Sequence, residues 1–271
     1  MSKHEQISCN PLTEPEYAKC FITFLDRSHE YDYMLNIVDY IQTKPDESTT
    51  ILSIGAGTGY FDEQILNKLK NKVNYYAFEP NPIHIIELTE RLTKTRHNIK
   101  IIQDYFSSET TFDLEFDYIL ISHCLYPIRN PFNVLHHAIS FLKNNNESKL
   151  LLFHQGDVGM VNFVNKFNKY LNFSSEPYAK YDYSSKDIIE YLKYNNFKYD
   201  LYLLPAYIDL SDVFTNDDIL HDMVTFYIQT NTKLLPKQLF DEMVEDIKVH
   251  TMNDMKYNHP MSMIIISNKN Q

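Results

Sequence analysis

The run Ile51-Leu52-Ser53-Ile54-Gly55-Ala56-Gly57-Thr58-Gly59 constrains the fold more tightly than any other stretch. It holds three of the chain's five glycines. A short apolar run that ends on glycine reads as a buried strand. The segment from Gly59 to Lys70, with Phe61, Ile65, Leu66 and Leu69 on one side, reads as the helix that follows it. A chain that turns sharply from strand to helix while a ligand approaches its backbone has no room for Cβ atoms, so glycine recurs. In a parallel sheet such turns collect where strand carboxyl ends meet helix amino ends, and ligands bind there at the switch in strand order.

The rest of the chain repeats the alternation. "KVNYYAFEP" predicts a second strand and "IHIIELTERLTKT" a second helix. "IKIIQD" and "FDYILIS" predict strands three and four, "PFNVLHHAISFLK" a helix, and "SKLLLFHQ" strand five. Two helical stretches follow, "MVNFVNKFNKYL" and "SSKDIIEYLKYNNF", the second with Ser184 or Ser185 as its N-cap. "KYDLYLLPAYI" predicts a sixth strand. A long, partly helical segment carries "NDDILHDMVTFYIQ" and "KQLFDEMVEDI", and "MSMIIIS" closes the chain as a seventh strand. Alternating strands and helices imply an α/β doubly wound sheet. Seven strands, the last after a non-standard connection, fit the Rossmann-like sheet of class I methyltransferases, mostly parallel with an antiparallel final strand. The expected organisation is a single domain over 1–271 with a helical substrate-binding cap. Its parts are an N-terminal helical segment at 14–44 and insertions at 155–197 and 209–260.

The glycine spacing sharpens the ligand. Gly55-Ala56-Gly57-Thr58-Gly59 is GxGxG, and Tyr60 stands where a dinucleotide loop would carry its third glycine. Glu79 lies 20 residues after Gly59, at the end of strand two, where a carboxylate can accept both hydroxyls of a ribose. Loop, acid and strand order together favour S-adenosylmethionine (SAM) over NAD, with Gly55, Ala56, Gly57, Gly59, Glu79 and Pro80 on the cofactor. Asp104, after strand three, is a candidate acceptor for the adenine amino group, with Ser107 or Ser108 a turn later. Capping or turn roles explain these three equally well. Ser122 ends strand four beside the expected cofactor.

A formal charge of −11 disfavours a surface that tracks phosphates, so nucleic acid is not the expected partner. The segment "SHCLYPIRNP" after strand four also lacks the Asn/Asp-Pro-Pro-aromatic tetrapeptide that stacks a flipped adenine. Both features point to a small-molecule substrate. Cys9, Cys20 and Cys124 are odd in number and scattered, without a CxxC pair. That fits a reducing cytosol rather than a disulfide framework or a zinc site. Every apolar run is too short or too interrupted to span a bilayer. No metal or membrane is expected, and a monomer is the default.

Over nearly its full length the sequence resembles the histamine N-methyltransferase family. The matching pieces are "YAKCFITFLDRSHEYDYM", "ILSIGAGTGYFDEQIL", "FEPNP", "FDYILISHCLYPIRNP", "YDYSSKDIIEYL", "YDLYLLPAYIDLSDVF" and "NHPMSMIIIS". The glycine loop is generic to the superfamily; "FITFLDRSHEYDYM" and "IDLSDVF" are more specific. The resemblance implies that Glu30 helps hold an amine substrate, that Glu79 binds the ribose and that Ser107 lies near adenine. His123 and His259 stand where the family has amides that hydrogen-bond the substrate, and His84 where it has a cofactor-side glutamine. The family's pocket tryptophans are absent; Met160 and Val164 fall near those positions.

Topology sets His123, after strand four, and His259, before an antiparallel last strand, on the cofactor edge. Tyr17, Phe21, Tyr126, Tyr178, Tyr183 and Tyr207 are candidate aromatic walls, which suit a flat or cationic ligand. For any single tyrosine among 21, ordinary packing is the simpler account. Glu30 falls off the apolar stripe of one unbroken helix. If that helix breaks near Arg27-Ser28, Glu30 becomes a first-turn acid behind Ser28. A histidine can accept an ammonium proton or merely replace an amide as a hydrogen-bond partner. The expected activity is SAM-dependent N-methylation of a small amine, an imidazole amine first. O- or C-methylation of another metabolite and an inactive nucleotide-binding module are the alternatives.

Overall fold

The computed structural model describes residues 6–45, 48–128, 130–177 and 183–267. The chain divides into two compact units: 31–154, 187–203 and 262–271 form the first, and 1–30, 155–186 and 204–261 the second.

The first unit is built on a seven-stranded sheet of β1 (Thr49–Ile54), β2 (Val73–Phe78), β3 (Asn98–Ile102), β4 (Tyr118–Ser122), β5 (Lys149–Gln155), β6 (Lys198–Leu204) and β7 (Met261–Ser267). The order across it is β3-β2-β1-β4-β5-β7-β6, mostly parallel with an antiparallel strand. The runs "ILSI", "YILI" and "LLLF" are apolar on both faces, as strands covered on both sides must be. Parallel register sets Ile102, Phe78, Ile54 and Ile121 abreast at the carboxyl ends of β3, β2, β1 and β4. The segments that begin at Gln103, Glu79, Gly55 and Ser122 therefore leave the sheet at one level. Helices Tyr60–Lys68 and Pro82–Leu92 follow β1 and β2. The second starts where Asn81 Oδ1 accepts from the Ile83 and His84 N–H groups, with Pro82 at its first position.

In the second unit, helix Glu14–Leu25 packs on helix Asp217–Ile228. Phe24 stacks on Phe226 with ring centroids 4.7 Å apart. Met160–Phe167 and Lys237–His250 are its other α-helices among the described residues. Two short ribbons complete it, Ile7–Cys9 parallel to Leu171–Phe173 and Tyr207–Asp209 antiparallel to Lys256–Asn258.

Several boundaries differ from the sequence reading. The helical pattern over 14–44 breaks at Leu25, resumes as Glu30–Met34 and ends as a 3₁₀ segment, Leu35–Tyr40. The break arises because residues 27–29 turn to the neighbouring strand: Asp209 N–H donates to the Arg27 carbonyl and His29 N–H to that of Tyr207. Residues from Tyr31 onward belong to the sheet unit, where the Tyr31 ring meets Tyr60 and Phe61. The end of the 155–197 insertion also belongs there, since Tyr191 stacks on Phe132 at 5.0 Å. Ser184 is the residue that caps helix Ser185–Tyr194, accepting from Lys186 N–H. The sixth strand stops at Leu204, because Pro205 has no N–H to offer a ladder and the chain turns as Ala206 N–H donates to the Leu204 carbonyl.

Candidate active site

The three glycines of the loop have left-handed backbones, φ +69° at Gly55, +57° at Gly57 and +74° at Gly59. Their surroundings separate their roles. A Cβ on Gly55 would lie 2.3 Å from Cys124 Cβ, and one on Gly59 would lie 2.6 Å from Leu88 Cδ1. These two glycines let the loop press against the segment after β4 and against helix Pro82–Leu92. A Cβ on Gly57 would meet nothing within 4 Å. Only Gly57 opens onto free space.

Glu79 is fixed beneath that opening. Its Oε2 accepts from Gly57 N–H at 2.8 Å, its Oε1 accepts from Asn81 N–H at 2.9 Å, and the side chain is buried. His84 Nδ1 lies 3.5 Å from the same Oε1. Pro80 follows, half-buried, and Ala56 N–H donates to the Phe78 carbonyl, tying the loop to β2. Under the loop, Tyr75 donates its hydroxyl to Asp62 Oδ1 at 2.6 Å. Burial raises the Asp62 carboxyl above its usual range, against hydrogen bonds from Ser53 and Tyr75 that lower it.

After β4, half-buried Ser122 ends the strand and His123 takes a left-handed φ of 52°, uncommon for a residue with a side chain. Its N–H donates to the Phe153 carbonyl, and its Nδ1 lies 3.3 Å from the Tyr126 hydroxyl. Tyr126 stacks on His154 with centroids 4.4 Å apart. The structure thus builds a His123–Tyr126–His154 cluster. Asp104 is exposed, and its Oδ1 accepts from Tyr105 N–H. Ser107 sits in a turn, its N–H donating to Thr110 Oγ1 and its Oγ accepting from Glu109 N–H; Ser108 is exposed beside it.

In the second unit, Glu30 Oε1 and His259 Nε2 are 2.8 Å apart, and both side chains are buried. Ser28 Oγ lies 3.4 Å from Glu30 N–H, so Glu30 opens its short helix as a first-turn acid. Phe24 meets the His259 ring edge-on at 5.8 Å, and Tyr17 and Phe21 line up with Phe226 beside it. Tyr207 stacks on His29, and Tyr183 offers its carbonyl to Gln155. Met160 and Val164 are buried in their helix. Tyr178 lies outside the described residues. The structure therefore brings together Gly57, Glu79 and His84 in one unit and Glu30, His259 and the Phe24 cluster in the other. His123 and Tyr126 belong to the sheet unit.

A methyltransferase-domain family model matches residues 26–158. Histamine N-methyltransferase of Rattus norvegicus is 25% identical over 283 aligned positions, covering 92% of this chain and 94% of its own. Carnosine N-methyltransferase 2 of Gallus gallus is 24% identical, covering 78% of this chain and 71% of its own. Among solved structures, the plantazolicin methyltransferase BpumL, bound to SAH and a desmethyl-plantazolicin analogue, aligns with a TM-score of 0.55 at 16% identity. The alignment covers 94% of this chain and 92% of that one. The chain is a SAM-dependent methyltransferase. It is a distant relative of the histamine N-methyltransferases.

The loop fits that cofactor. Each Glu79 oxygen accepts one backbone N–H, which leaves lone pairs on both for the two hydroxyls of a ribose. The free space at Gly57 adjoins that carboxylate. When bound, SAM supplies a methyl carbon on a sulfonium. The methyltransferase's own residues have only to bind, orient and hold an unprotonated acceptor. Two residues escaped the sequence reading. Asn81, which both caps a helix and holds Glu79, was signalled by Asn-Pro before an apolar-periodic run. His154 had no such signal, because a histidine within a buried strand reads as core.

Proposed function

We propose that this methyltransferase transfers the methyl group to the nitrogen of a small amine, with a histamine-like imidazole amine as the first candidate. The observation that carries the reading is Glu30. It is a buried carboxylate with an imidazole on one oxygen, and Phe24 meets that imidazole edge-on. A buried carboxylate is costly unless it meets a cation or donors, and an ammonium group supplies both. Aromatic faces favour the same charge. The names of both curated relatives specify nitrogen as the acceptor, and histamine and carnosine each carry an imidazole.

On this reading Glu79, Gly57 and His84 hold the cofactor, and Glu30 and His259 receive the amine. Three free, scattered thiols support a cytosolic setting. No described helix is long and apolar enough to cross a membrane. The test is turnover across histamine, other biogenic amines and phenols, with products identified by mass. Methylated amines are expected; product from phenols alone would overturn the assignment.

A further inference from the structure

Among the polar atoms of the second unit that are buried without a hydrogen-bond partner among the described residues are His259 Nδ1 and the Tyr227 hydroxyl. Both belong to one neighbourhood. His259 Nε2 is on Glu30, Phe24 packs against both His259 and Tyr227, and the Tyr227 hydroxyl feels the charge of Glu30. Ordinary packing satisfies such atoms, so each marks a place where a ligand's polar group would be stabilised.

The geometry fixes what His259 has to offer. With the Glu30 carboxylate 2.8 Å from Nε2, the ring keeps its proton on Nε2 when neutral, and the lone pair sits on Nδ1. His259 is held from behind as well, its backbone N–H donating to the Ala206 carbonyl. We propose that His259 is the substrate's proton acceptor and Glu30 the residue that positions it. Nδ1 accepts an N–H of the bound amine and, from an ammonium, takes the proton. This rests on the N-methyltransferase reading and names the protonation chemistry of that site.

The step balances. The ammonium R–NH₃⁺ gives its proton to Nδ1, and the imidazolium so formed is stabilised by the Glu30 carboxylate. The freed lone pair forms the N–C bond as the methyl–sulfur bond breaks. That bond's electron pair goes to sulfur, and the product leaves as R–NH₂CH₃⁺ with S-adenosylhomocysteine. Among the described residues, titratable groups near the ring come from two neighbouring elements. Helix Asp217–Ile228 presents Tyr227 and strand Lys256–Asn258 presents Tyr257. Burial raises the pKa of each well above the ordinary value, so they stay neutral at physiological pH. Asp246 acts on Tyr257, helix Glu14–Leu25 contributes the apolar Phe24, and Tyr207 lies on the paired strand. Glu30 is the carboxylate on the ring itself.

The test has two arms. Nitrogen-15 NMR of histidine-labelled protein at pH 8, without cofactor, is expected to show His259 protonated at Nε2 and bare at Nδ1. A protonated Nδ1 would overturn the proposal whether or not any amine is turned over. Profiles of kcat/KM against pH then compare the parent, His259→Asn and Glu30→Gln, with thermal unfolding and S-adenosylhomocysteine binding as checks on folding. The parent's kcat/KM is expected to fall along an acid limb as its proton acceptor becomes protonated. In H259N that limb disappears and kcat/KM at pH 8 drops roughly 10²-fold or more. In E30Q the limb moves to lower pH, because a neutral amide stabilises the imidazolium less. A limb that survives H259N, or stays in place in E30Q, contradicts the proposal. A parent that methylates only phenols would instead refute the amine reading and leave the NMR result to decide the tautomer.

Discussion

Substituting alanine at Gly57 and at Gly55 separates ligand space from packing within one loop. Both positions are left-handed, and a side chain there costs about 1–2 kcal/mol of backbone energy. At Gly57 nothing more is added, since the new methyl meets no protein atom within 4 Å. At Gly55 the methyl would lie 2.3 Å from Cys124 Cβ, a rigid neighbour beside its own main chain. Overpacking of that kind adds roughly 1–3 kcal/mol. With about 2–4 °C of melting temperature per kcal/mol for a chain of roughly this size, G57A should lose only a few degrees. By the same conversion G55A should lose roughly 4–20 °C. Binding should show the contrast. The Gly57 methyl would occupy the space beside Glu79, and S-adenosylhomocysteine affinity should fall at least about tenfold in a variant that still folds. Scanning calorimetry and titration calorimetry on the two variants read both quantities. If G57A is as unstable as G55A, or binds the ligand like the parent, the division of roles within the loop is wrong.

Glu30→Ala leaves the buried His259 Nε2 without its partner and should lower stability by roughly 1–3 kcal/mol. Its amine KM should rise strongly with little change in S-adenosylhomocysteine affinity; steady-state kinetics equal to the parent's would end its substrate role. Because burial raises the Asp62 carboxyl, its stability contribution is complete below the unfolded value, near ~3.9, and is lost as pH rises through the folded one. The melting temperature of Asp62→Asn should therefore gain on the parent's as pH rises above about 4, and a constant gap would count against a buried, raised carboxyl. Burial pushes the Cys20 thiol up to about 12, so native protein at pH 8 should resist alkylation there until it unfolds. Labelling at the rate of a free cysteine would contradict that environment.

The sheet and its glycine loop were legible because their signals are local. Apolar runs ending on glycine, amphipathic helices and the Glu79 spacing all lie within short windows. The roles of the individual glycines were not, since the neighbours that decide them, Cys124 and Leu88, come from other elements. The ribbons Ile7–Cys9 with Leu171–Phe173 and Tyr207–Asp209 with Lys256–Asn258 are too short to show a period of two. The second ribbon is also what breaks the N-terminal helix before Glu30, through hydrogen bonds to residues 207–209. Glu30 and His259 come from opposite ends of the sequence. Each could be named as a candidate, but their 2.8 Å pairing is a tertiary fact. Asp62 lies in the first turn of its helix, and its buried partner, the Tyr75 hydroxyl, comes from the next strand.

The claim beneath all of this is that the loop after β1 and the Glu79 carboxylate hold the ribose of SAM. Titration calorimetry of the parent and Glu79→Gln with S-adenosylhomocysteine and with NAD addresses it directly. The parent should bind S-adenosylhomocysteine and not NAD. The glutamine variant loses charge-assisted bonds of about 1.5–3 kcal/mol each, so its affinity should fall roughly 10–100-fold or more. Equal affinity in parent and variant, or a preference for NAD, would contradict the account.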